Sequence, residues 1–145
     1  MPLNAIVDAS VLVSAFLFPG SIPGQILKLA GEGAFSMHLS PILIEETRRS
    51  LSNERLRKAY GHDDTTVSSW CVGLERTGAV FRGSLPDIGQ VCRDSNDDHV
   101  IAAAVAICAD AIVTGDKDLL TLGQFRTIRI LTARAFLAEI HPSSA

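Results

Sequence analysis

The sequence predicts an α/β fold in three layers, with a mostly parallel central sheet of four to five strands and helices on both faces. Three observations lead there. Short apolar runs of strand length alternate with longer helical patterns along 145 residues, the order that generates a parallel sheet through helical crossovers. Several helical patterns follow a Ser, Thr, Asp or Asn able to satisfy the first free amides of a helix. Acidic residues stand at or just beyond the ends of apolar runs, where a parallel sheet opens onto its ligand crevice.

The elements follow in order. Asn4 to Val7 reads as a buried strand, followed after Asp8 by an apolar helix to about Leu17 that Pro19-Gly20 breaks. Ser21 caps the next helix, with Pro23 in its first turn, where a missing N–H costs nothing; Gly31 and Gly33 close it. Phe35 to Leu39 is a second strand, and Ser40-Pro41 opens a helix carrying Leu43, Glu45, Glu46 and Leu51. The polar stretch from Arg55 to Gly78 predicts two helical pieces around Gly61, the second capped by Asp63. Ala79 to Phe81 is a third strand, residues 82–91 a loop, and Asn96 the expected cap of a buried helix from Asp97 to Cys108. Ala111 to Val113 and Ile128 to Leu131 complete the strands, and Thr132 caps a last helix to Ile140. We expect one domain over residues 1–141 and a short tail, 142–145.

An apolar fraction of 47% excludes a disordered chain. No apolar run reaches the roughly 18 to 20 residues that cross a bilayer, and the start Met1-Pro2-Leu3-Asn4 lacks the basic opening of a signal peptide. A cytoplasmic location without membrane contact is the expectation. Cys71, Cys92 and Cys108 lack metal-ligand spacing and read as buried thiols. The four histidines are scattered and point to surface or structural roles. A net charge of −3 gives no global attraction to nucleic acid, yet Arg48, Arg49, Arg55, Arg57 and Lys58 crowd into one stretch. That stretch is either a phosphate-holding patch or a solvated face with Glu45–Arg49 and Glu54–Lys58 pairs.

Four acidic clusters carry the chemistry: Asp8, Glu45-Glu46, Asp94-Asp97-Asp98 and Asp116-Asp118. Carboxylates gathered without an intervening cation repel, and a hard divalent ion with oxygen ligands is the simplest partner. Phosphodiester hydrolysis needs an activated water and a place for charge on the leaving oxygen, and Mg²⁺ or Mn²⁺ supplies both. Glu45 and Glu46 face about 100° apart on a helix, so one of them turns to solvent.

Four segments fit a known pattern in order and spacing: Ile6 to Ala15, Ser40 to Glu46, Asp94 to Asp98, and Val113-Thr114-Gly115-Asp116-Lys117-Asp118-Leu119-Leu120. Together they resemble the PIN domain, and within it the VapC-like toxins of toxin–antitoxin modules. The resemblance implies a Mg²⁺- or Mn²⁺-dependent ribonuclease. Asp8, Glu46, Asp97 and Asp116 would be its catalytic and metal-binding acids, with Ser10, Asp94, Thr114 and Asp118 in auxiliary places. It also implies an RNA substrate, an antitoxin partner and a homodimer. One departure is Asp8-Ala9-Ser10, where the family usually has Asp-Thr-Asn.

Rival folds fit less well. A haloacid-dehalogenase-like phosphatase needs a second acid where Ser10 stands, and a response-regulator receiver needs a Lys where Leu131-Thr132 ends the last strand. The remaining alternative is a non-catalytic PIN-fold module that binds nucleic acid or protein.

Overall fold

In a computed structural model of the chain, which describes residues 2–140, strand β1 (Asn4–Val7) lies inside a six-stranded sheet. Its neighbours are β2 (Ser36–Leu39) and β4 (Ala111–Val113), and the full order is β3-β2-β1-β4-β6-β5, with β3 at Ala79–Val80, β5 at Gln124–Phe125 and β6 at Ile128–Leu131. Every pairing is parallel except β5 against β6. The tail from His141 onward lies outside the described residues.

Period-two alternation along the strands builds the three layers. Ala5, Val7, Ala111 and Val113 face one side, where they meet buried residues of α1 (Ala9–Leu17), α2 (Ile22–Gly31), α5 (Asp64–Thr77) and α8 (Ala133–Ile140). Phe35 and Phe136 meet there edge to face, ring centres 4.9 Å apart. Ile6, Ile112 and Ile130 face the other side, against α6 (Asp98–Ala106) and Leu119 of α7 (Lys117–Leu122). Buried Ala102, Ala103 and Ala104 let α6 lie close over β1 and β4. Leu43 of α3 (Pro41–Leu51) joins this second cluster while Ile44 and Leu51 join the first, so α3 wraps the sheet edge. Helix α4 (Glu54–Tyr60) follows α3 and has no buried residue.

Local capping chemistry sets the boundaries. Ser21, Ser40, Asp63 and Thr132 accept the first amides of α2, α3, α5 and α8 as expected. Three details differ. Asn96 caps nothing: its own N–H donates to Asp94 at 3.0 Å, a 3-10 turn covers Ser95–Asp97, and α6 starts at Asp98. At the far end Cys108 takes a left-handed φ of 54°, which stops α6 early and leaves that thiol exposed. Helix α7 and strand β5 were not legible; Gly123, with φ 74°, turns the chain between them.

No single helix among the described residues is long and apolar enough to cross a membrane; α1 and α2 together have the composition but meet at a 98° bend.

Candidate active site

The sheet order places the site. From β1 the chain moves one way to β2 and β3, then returns on the other side of β1 to β4 and β6. Adjacent strands whose connections diverge leave a crevice beyond their carboxyl ends. Val7 and Val113 pair in register, so Asp8 and Thr114 emerge side by side at that crevice.

Asp8 is buried and accepts three hydrogen bonds, which leaves it one further lone-pair site. Its Oδ1 accepts the Ala9 N–H at 2.8 Å, capping α1. Its Oδ2 accepts the Thr114 hydroxyl at 2.7 Å and the Ser10 hydroxyl at 3.1 Å. Ser10 in turn accepts the Gly115 N–H at 3.0 Å, and Thr114 accepts the Asp116 N–H at 3.0 Å. Ser10 therefore ties the β1 end to the β4 end. Asp116 caps α7 through Oδ1, which accepts the Asp118 and Leu119 amides at 2.9 and 3.1 Å, so its other oxygen is available to the crevice. Asp116, and not Asp118, is the cap of that turn.

Asp97 enters from the start of α6. Burial, then the neighbouring Asp116, Asp94, Asp8 and Asp118, push its carboxyl up to about 6. Asp97, Asp116 and Asp118 each offer an oxygen within 4.8 Å of the others. Asp118 thus stands nearer the centre of the site than an auxiliary role implied, with the exposed Arg93 guanidinium 3.7 Å from it. Asp94 is exposed and caps the 3-10 turn.

Glu46 reaches the crevice from α3, and Glu45 does not. Asp8, Ala9, Ser10, Val13, Glu46, Ser50, Asp97 and Asp116 line one open cleft of about 350 Å³. Glu45 pairs instead with Arg48 and, at 3.6 Å, with Arg49. Glu46 is held by His99, one of the histidines expected in surface or structural roles: its Nε2 lies 3.1 Å from Glu46 Oε1, and the imidazole is largely buried. The signal available was position, since His99 follows Asp97 by two residues on an otherwise apolar helix.

Asp98 does other work. Its carboxylate accepts the amides of Val91 (3.2 Å) and Cys92 (2.7 Å) and so anchors the loop that leads into the site. Burial, then the Asp98 carboxylate, push the Cys92 thiol up to about 12, which makes it unreactive. Asp98→Ala strips these amides of their acceptor and should cost about 1–3 kcal/mol in urea denaturation. A loss no greater than that of an exposed substitution on α4 would show the loop is anchored elsewhere.

The basic stretch is mostly neutralised. Besides Arg48 and Arg49, Lys58 pairs with Glu54 at 3.1 Å and Arg57 with Asp64 at 3.6 Å. Arg55 has no ion-pair partner among the described residues.

What fold and crevice define is a doubly wound α/β domain with a carboxylate-lined site at its switch point. A family model of the PIN domain matches residues 4–118, and the chain belongs to the PIN domain family. An uncharacterized protein of Methanocaldococcus jannaschii is 31% identical over 121 residues, 83% of this chain and 75% of that protein. Two solved structures share the fold. One is VapC20 of Mycobacterium tuberculosis, a Sarcin-Ricin loop cleaving toxin, at 14% identity and a TM-score of 0.55 over 86% of this chain and 98% of that one. The other is VapBC2 of Rickettsia felis bound to a DNA fragment from their promoter, at 14% identity and a TM-score of 0.57 over 90% and 98%.

Proposed function

We propose that this protein is a Mg²⁺- or Mn²⁺-dependent endoribonuclease and the toxin of a toxin–antitoxin module. The observation that carries the reading is the convergence of Asp8, Glu46, Asp97 and Asp116, from four separate segments, on one open cleft. The donor set fits a hard cation, because it is all carboxylate oxygen and contains neither thiolate nor imidazole. The raised Asp97 supports the same fit: like charges are packed there with no basic residue among the cleft's lining.

Asp8, Glu46, Asp97 and Asp116 would hold the ion, with Asp118 close by. A bound Mg²⁺ or Mn²⁺ supplies an acidified water and neutralises charge developing on the phosphate oxygens. The chain's own work is preorganisation. Ser10, Thr114 and the Ala9 amide fix Asp8, the α7 amides fix Asp116, and His99 fixes Glu46. A cleft open at the surface suits a polymer, and a non-catalytic module gains nothing from anions that face phosphate. The VapBC2 structure that shares the fold supports a cognate antitoxin as a further part of the reading, and a homodimer rests on the family resemblance alone.

Purified protein is expected to cut single-stranded RNA with millimolar Mg²⁺ or Mn²⁺ and to stop with EDTA. Cleavage that survives thorough chelation would rule the metal mechanism out.

A further inference from the structure

A second cavity adjoins the cleft. Ser50, Asn53, Arg55, Leu56, Ala59 and Tyr60 line an open groove of about 510 Å³. Ser50 also lines the acidic cleft, so the two meet at its side chain. Glu46 and Ser50 lie one turn apart on α3, and side chains four residues apart share a helix face. The groove therefore leads from the carboxylates along α3 to α4.

Its far end carries two features that the fold leaves unexplained. Arg55 is exposed and, among the described residues, lacks the acid partner that Arg48, Arg49, Arg57 and Lys58 each have. Tyr60 and Phe18 meet edge to face with ring centres 5.5 Å apart, and each is about half exposed (49% and 48%). Two large aromatic rings left half open to solvent at the end of this groove are poor choices for stability. Asp8 and Phe18 are the N-cap and C-cap of the nine-residue α1, so the rise along that helix puts the pair about 15 Å from Asp8.

We propose that this groove is the path of the single-stranded RNA substrate on one side of the cut, with Arg55 holding a phosphate and Tyr60 with Phe18 stacking an unpaired base. The proposal rests on the ribonuclease reading. The chemistry favours a nucleic-acid strand because a free cation, amide and hydroxyl donors and an open π-face occur together in a groove continuous with the acid site. Base–aromatic stacking and phosphate contacts are how single strands are held without sequence readout. A duplex offers no exposed base face to Tyr60.

The test measures binding of fluorescent single-stranded oligoribonucleotides to the Glu46→Gln protein by anisotropy, and cleavage by the Glu46 protein with Mn²⁺. On an oligonucleotide of about twelve residues, Tyr60→Ala should weaken binding about tenfold without changing its salt dependence. Arg55→Ala should weaken binding and lower the salt slope by about one. Lys58→Ala, which removes a paired cation, should do neither. In cleavage both groove variants should raise KM and leave kcat near its starting value. Tyr60→Leu keeps apolar contact with Phe18 but lacks the ring, and must reproduce the Tyr60→Ala loss if stacking is its origin. Arg55→Ala and Tyr60→Ala proteins that bind and cut within about twofold of their parents would overturn the path while leaving the nuclease standing, and would give the groove to a protein partner instead. A parent protein that neither binds nor cuts single-stranded RNA overturns both.

Discussion

Glu46→Gln is expected to lower the proposed RNA cleavage by at least about 100-fold, since even a residue that only supports a metal ligand is worth about 10–100-fold. Glu45→Gln leaves cleavage within about twofold, because it removes only exposed ion pairs with Arg48 and Arg49. The contrast comes from helix geometry: Glu46 lies over the cleft and Glu45 about 100° away. His99 sharpens the test. Glu46 has a long, rotatable side chain, and its Oε1 lies 3.1 Å from His99 Nε2. His99→Phe keeps a planar ring but removes the donor, and should weaken Mn²⁺ binding about tenfold. His99→Gln, which can present an N–H near the same place, should restore most of it. In the Glu46→Gln background His99→Phe should have no further effect on Mn²⁺ affinity, the mark of two residues acting as one unit. Equal losses from Glu45→Gln and Glu46→Gln would show that neither carboxylate has a special place.

That contrast also shows which parts of the molecule a reader of the sequence can reach. Asp8 was visible because a lone acid ends a run of buried strand residues, and the parallel register then delivers Thr114 beside it. Helical rotation says only that one of Glu45 and Glu46 turns to solvent; the choice of Glu46 rests on the resemblance of Glu46-Thr47-Arg48-Arg49-Ser50-Leu51 to the family's Glu followed by a basic turn. The Ser10 and Thr114 bridges were not legible, because they join residues more than a hundred positions apart, and only the folded sheet says which hydroxyl meets which carboxylate. His99 was hidden for the same reason, its partner lying on another helix. Asn96 misled because Asp94 competes for the same turn and takes Asn96's own N–H. The short α7 is hidden in the sequence because Asp116 serves two ends at once. In the fold it both caps that helix and faces the cleft.

Asp8→Asn separates a ligand from a structural cap. Asp8, Glu46, Asp97 and Asp116 repel one another when ionised, and Asp8 is among the charges that raise Asp97. Folding lifts Asp97 from an ordinary 3.8 to about 6, so its share of stability is present below the unfolded value and is lost as pH rises through about 6. Melts at about pH 7.5 thus compare proteins in which Asp97 is ionised and strained. The Asn side chain keeps an acceptor for the Ala9 amide, and its two amide hydrogens can be taken by Ser10 and Thr114 if their hydroxyls turn. The metal-free mutant should therefore melt no lower than the parent, with one fewer charge in the cluster. If the site binds Mn²⁺ as proposed, the ion at about 100 times its Kd should stabilise the parent by about 2.7 kcal/mol through mass action, several degrees for a chain of this size. The mutant, lacking a negative ligand, should show a much smaller shift at the same concentration. A metal-free mutant that melts clearly lower, with an undiminished Mn²⁺ shift, would make Asp8 the cap of α1 and the tie between β1 and β4, and would remove it from the metal site.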